Sequence, residues 1–272
     1  MRHVAPRYTG SRAIAVSSLE RTLAQAPKSV SRALLELAQQ QLRDAANHSI
    51  LVPFLRGQRA GLNMLMHNLE AGVVDKENER AIVGGEYTSD LSFFLHNGAT
   101  FKLDHAALLD FFNKAIAIAK GPPSDRWPQF KRLEISTLDA PPIVRKLAPI
   151  VEHIGLSDLR IQSLLDCAVA GMAVEQFRLA NKGNWPATLE AVVADKLLDQ
   201  VPQDVFDGKS LRYRKTNSGV VIYSVGPNET YAGDALDKVQ EISPAVVRFE
   251  FRLWNPEQRG KGPRPVLHKA DH

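Results

Sequence analysis

The chain has 272 residues, 44% hydrophobic and 24% charged, which gives it enough apolar material for one large domain or two small ones and argues against disorder. A net charge of +4 and a pI near 9.2 are too mild to single out nucleic acid as a partner. A single cysteine, Cys167, excludes an intrachain disulfide, and no segment approaches the roughly 20 apolar residues of a membrane span.

From the N-terminus, Ser17 to Asn47 reads as helix, with Pro27 as the place of a break. Val30, Ala33, Leu34, Leu37 and Leu42 recur at helical spacing, and Ser29 or Ser31 is placed to cap the second part. Val52 to Leu69 reads as a second helix, with Pro53 in its first turn and Leu55, Leu62, Leu65, Met66 and Leu69 on one side. Val73 to Asp90 is charged and then glycine-rich, a loop, and Leu91 to His96 is a short apolar run of open type. Asp104 opens a helix that is apolar nearly all round, through Leu108, Leu109, Phe111, Phe112, Ala115, Ile116 and Ile118, and it stops at Gly121-Pro122-Pro123. Ser124 to Pro142 reads as a proline-marked connection, and Pro142 to His153 as a helix ended by Gly155.

Ser157 and Asp158 read as the N-cap and first-turn acid of a long helix with a broad apolar face, from Ile161 through Leu164, Leu165, Ala168, Met172 and Ala173 to Phe177. Cys167 lies among apolar neighbours there and reads as a buried thiol. Thr188 to Leu198 is a shorter helix. Ser210 to Arg214 alternates as a strand, Lys215 to Gly219 fits a hairpin loop, and Val220 to Val225 is β-branched. Ala245 to Trp254 alternates, with Val247, Phe249, Phe251 and Leu253 facing one way and Arg248, Glu250 and Arg252 the other, as in a half-buried strand. A long helix with one face to bury and three strands with one face to bury pack together as α+β.

The chain lacks HExxH, paired CxxC, GxSxG, and GxxxxGK followed by Ser or Thr. Its eight histidines are scattered without metal-ligand spacing. His67 and His153 fall on predicted helices and read as partly buried structural residues. The basic stretch after residue 255, with Arg259, Lys261, Arg264 and Lys269, reads as a flexible, solvated tail.

One combination is more specific than its parts. It begins with an alanine-rich helix ending in an aromatic-Arg-Leu run (Ala168, Ala170, Ala173, Glu175, Phe177, Arg178, Leu179), then Gly183 and the pair Trp185-Pro186. It continues with Pro202, Asp204, Phe206, Asp207 and Gly208, with Val205 where a second proline is usual, and closes on Tyr223, Ser224, Gly226 and Pro227. This order resembles the globular domain of the major pseudopilin of type II secretion systems, a pattern shared by related uncharacterised bacterial proteins. The resemblance implies a long helix packed on an antiparallel sheet of about three strands. The expected organisation is a helical region over 1–155, the pseudopilin-like α+β domain over 156–255, and the tail over 256–272.

Gly183, Trp185, Pro186 and Phe206 are expected as structural anchors, glycine ending the helix left-handed and the aromatics pinning the connection around the short helix. Major pseudopilins bind calcium before their last strand, and the corresponding loop, Gly226 to Glu241, offers Asn228, Asp234 and Asp237 as candidate ligands. The acidic run is thinned there, so a plain solvated loop is the competing reading. The family's leader and long apolar anchor helix are not seen ahead of this domain, which leaves an anchor upstream of Met1 as one expectation and a cytoplasmic chain as the other. The resemblance favours a periplasmic or cell-envelope protein with a protein partner and no catalysis. The alternative is an enzyme or small-ligand binder with its site between the helical region and the C-terminal domain.

Overall fold

The computed structural model describes residues 5–26, 30–73, 100–228 and 249–260. Its elements in chain order are α1 (Ala5–Gln25), α2 (Arg32–Asn47), α3 (Leu51–Glu70), α4 (Phe101–Lys120), α5 (Pro123–Ile135), α6 (Pro142–Ala180), α7 (Leu189–Ala194), β1 (Arg212–Lys215), β2 (Gly219–Tyr223) and β3 (Glu250–Trp254). The class is α+β. Contacts divide the chain into two compact units, one of residues 1–7 and 50–158, the other of residues 8–49 and 159–272. The sequence groups 1–155 as one region; the contacts put 8–49 with the sheet instead.

The first unit is helical. Leu55 and Leu62 of α3, Leu108, Phe111 and Ala115 of α4, Phe130 of α5 and Val144 of α6 share one apolar core. The proline-marked connection expected over Ser124 to Pro142 is corrected here: most of it is α5. Pro123 opens that helix, where a missing N–H costs nothing. Pro128 sits inside it and forfeits one backbone bond, while Trp127, Phe130 and Leu133, spaced by three, bury its inner side. The stop expected at Gly155 is also absent. α6 runs straight through it, and a Cβ there would come within 2.7 Å of the Phe130 ring, so the glycine serves close packing. Ser157 caps nothing; its Oγ donates back to His153 O at 2.9 Å inside the helix. Asp158 instead meets Arg126 at 3.7 Å. His67 and His153 are exposed rather than partly buried, and His67 stands edge-on to His105, whose Nε2 lies 3.0 Å from Asn63 Oδ1. Of the expected loop over Val73 to Asp90, and of the run Leu91 to His96, only Val73 lies within the described residues.

Among its described residues the second unit carries a three-stranded antiparallel sheet in the order β1-β2-β3. Tyr213 pairs with Ile222 and Ile222 with Phe251, so these three share a face with Val220 and Leu253. That face joins the core formed by Leu164, Ala168, Met172 and Ala173 of α6. Small residues on α6 let the sheet come close: a Cβ on Gly171 would lie 2.4 Å from the Phe251 ring. The helix has more than one face to bury. From Ser163 to Gln176 it is buried almost without interruption, because Val16 and Leu23 of α1 and Leu35 and Ala46 of α2 belong to the same core.

The half-buried reading of the last strand needs correction for the same unit. Phe249 and Phe251 are buried as expected, but Glu250 and Arg252 are buried too, at 0% and 8% exposure. They tolerate it as a pair, Arg252 Nε donating to Glu250 Oε1 at 2.6 Å. Ala245 to Arg248 lie outside the described residues.

Candidate functional site

Two buried polar networks hold the charged residues Glu175, Arg178, Asp204 and Asp207. The first is built on Glu175, an isolated acid in an otherwise apolar stretch of α6. A carboxylate with 0% exposure must be paired. Arg178, one turn on, donates through Nε and Nη2 at 2.9 and 2.7 Å. Arg259 donates through Nη1 and Nη2 at 2.8 and 2.9 Å. Burial by itself pushes the Glu175 carboxyl up, but the two guanidiniums outweigh it and hold it below the usual carboxylate range.

Arg259 therefore contradicts the solvated-tail expectation for its position. It is 8% exposed, its Nε donates to Trp254 O at 3.0 Å, and Gly260 N donates to Ala24 O at 3.0 Å. A buried acid on α6 draws the arginine in. Residues 261–272 lie outside the described residues.

Trp185 extends this network. It is partly buried, less enclosed than a core anchor. The Arg178 guanidinium lies 5.3 Å from its ring centroid, and its Nε1 donates to Asn255 Oδ1 at 2.7 Å. Pro186 is buried, and its carbonyl accepts from Tyr213 Oη at 3.0 Å. Gly183 has φ 91°, and its N–H closes onto Arg178 O at 2.8 Å, the left-handed ending of α6.

The second network centres on Asp204, also at 0% exposure. Its Oδ1 accepts from Phe206 N at 3.0 Å and Ser224 Oγ at 2.8 Å. Its Oδ2 accepts from Val225 N at 2.8 Å and Arg212 Nη1 at 3.2 Å. Arg212 also pairs with Asp207, whose carboxyl is held below its usual range chiefly by that bond. One side chain thus ties the turn before β1 to the end of β2. Phe206, 5% exposed, stands edge-to-face on Phe249 with ring centroids 5.5 Å apart. Cys167 is fully buried and its thiol is pushed up by burial, which fits a packed thiol rather than a nucleophile.

The candidate calcium ligands are not brought together within the described residues. Asn228 is exposed at the end of one described stretch; Asp234 and Asp237 lie outside. Among the described residues no group of three or more His, Cys, Asp or Glu could hold a metal ion, and no helix is long and apolar enough to cross a membrane. Glu175, Arg178 and Asp204 stand in the sequence pattern without an assigned role. The signal for Glu175 was legible: a lone acid between Ala173 and Phe177, with an arginine three residues on. Asn255 carried no such signal.

Comparison with protein-family models, with curated proteins and with solved structures gives no match.

Proposed function

We propose that the chain is a non-catalytic structural or protein-interaction protein whose second unit is pseudopilin-like, working in bacterial secretion or at the cell envelope. The observation that carries this reading is the state of the pattern's acids. Glu175 and Asp204 each accept four hydrogen bonds from their own unit, so their lone pairs are committed to holding backbone and guanidiniums in place. Chemistry requires a group aimed at a substrate, and these point into their own fold. Leu34 and Leu37, one turn apart on α2, are 61% and 56% exposed, an apolar pair that a protein partner would cover.

Photocrosslinking in living bacteria tests the proposal. A photoreactive residue placed at position 34 or 37 is expected to yield an adduct with an identified secretion or envelope protein. No adduct at either position, together with an unchanged set of secreted proteins in a deletion strain, would overturn it.

A further inference from the structure

The packing of the helical unit brings together two histidines that the sequence keeps apart. Leu62, Leu65 and Met66 of α3 share a core with Leu108, Phe111 and Phe112 of α4, and this apolar seam holds the two helices side by side. Each helix contributes one histidine outside that core, His67 from α3, which is exposed, and His105 from α4, which is partly buried. Their rings meet edge-on, with centroids 5.1 Å apart and planes at 85°. His105 is also held by a third side chain: its Nε2 lies 3.0 Å from Oδ1 of Asn63, one turn before His67 on α3.

With Asn63 Oδ1 as acceptor, the His105 Nε2 carries the proton and Nδ1 keeps its lone pair. Metal-binding histidines are oriented in this way, one ring nitrogen donating to a fixed oxygen while the other ligates. The ring spacing fits as well. Two imidazoles on one tetrahedral ion, with zinc–nitrogen bonds of about 2.0–2.1 Å, have their ring centroids about 5 Å apart. Glu70, one turn after His67, pairs with Lys102 at 3.6 Å, which offsets that lysine's charge. Burial makes the His105 ring harder to protonate, the charge of His67 adds to this, and Glu70 works the other way. A ring that stays neutral keeps its lone pair for a metal.

We propose that His67 and His105 form a two-histidine site for zinc, or a divalent ion of similar preference for imidazole, that bridges α3 and α4, with Asn63 as the positioning residue of His105. Imidazole suits zinc, copper and nickel. The described residues supply no set of three histidine, cysteine or acidic ligands, so water fills the remaining positions and the ion exchanges, unlike one in a closed structural centre. An ion held by both helices adds a cross-link to their seam, and it stabilises the folded chain by mass action. The inference stands apart from the functional proposal, which rests on residues of the second unit.

The test titrates zinc chloride into the untagged full chain near neutral pH and follows the imidazole nitrogen resonances. His67 and His105 should shift together, and the melting temperature should rise with zinc. His67→Gln and His105→Gln should each abolish the joint shift and the rise. Asn63→Ala should weaken binding by about tenfold or more and remove the fixed Nε2-protonated tautomer from the His105 nitrogen shifts. Zinc that shifts neither ring in the wild type would overturn the proposal whether or not any variant folds. A zinc-dependent rise in melting temperature that survives in both histidine variants would overturn it too.

Discussion

Arg259 and Glu175 are 84 positions apart in sequence and form a two-bond ion pair, Nη1 to Oε1 at 2.8 Å and Nη2 to Oε2 at 2.9 Å. The pair fastens the chain leaving β3 onto the C-terminal part of α6. Removing one partner of a buried pair strands the other charge, at a cost of about 3–5 kcal/mol. Glu175→Ala is expected to lower stability by that amount, and Arg259→Ala by less, because Arg178 remains on the carboxylate. Urea unfolding in a Trp127→Phe background, read by Trp185 and Trp254 emission, measures both. Because Glu175 is held below its ordinary range, its contribution is present above about 4.5 and disappears as pH falls through the lower folded value. Acid titration of the wild type against Glu175→Gln should show that difference.

Gly171 of α6 packs closely against Phe251 of β3, and Gly171→Ala would drive a methyl into the ring. Overpacking of this kind costs about 1–3 kcal/mol. The diagnostic is the double-mutant cycle with Phe251→Leu: the smaller side chain should recover part of the loss. Strictly additive losses would mean that the ring does not limit the approach.

Much of this unit was legible in the sequence, and the illegible parts have specific causes. The strand alternation around Phe251 and the hairpin at Lys215 to Gly219 follow from period-two patterning. The burial of Glu250 and Arg252 does not, since a charged alternate position reads as solvent-facing unless its partner is known. The near-complete burial of α6 from Ser163 to Gln176 was written in its small, apolar run from Ala168 to Val174, but one covering layer comes from α1 and α2, more than a hundred residues earlier. Periodicity is local and carries no record of such partners. Gly155 misled because glycine serves both helix endings and close contacts, and only the position of Phe130 tells them apart.

Asp204 is the hub of the turn before β1. Asp204→Ala leaves the N–H groups of Phe206 and Val225 without their acceptor, and each buried orphan costs about 1–3 kcal/mol. Amide exchange at these two positions should accelerate in the variant more than at Val220 in the middle of β2. Uniform acceleration across the sheet would point to global destabilisation instead.

Trp185→Ala should cost less than loss of a fully enclosed tryptophan, because the ring is partly buried. Its Nε1 bond to Asn255 and its contact with Arg178 add to the area lost, giving about 2–3 kcal/mol. Asn255→Ala should reproduce only the hydrogen-bond share, about 1 kcal/mol. Equal losses in the two variants would show that the ring itself contributes little.

The buried charges of the pattern, Glu175 with Arg178 and Arg259, fasten the fold, and under the proposed function the protein's interactions do not depend on them. Replacing the whole cluster separates these roles, since a buried ionic triad exchanged for apolar residues of similar volume is often neutral or stabilising. The decisive measurement is the triple variant Glu175→Met, Arg178→Leu, Arg259→Met, followed by thermal unfolding and by photocrosslinking from position 34. The account predicts a folded protein with a melting temperature at or above that of Glu175→Ala and an undiminished adduct. A stably folded triple variant that has lost the adduct would contradict it, because the charges would then be needed for something other than the fold.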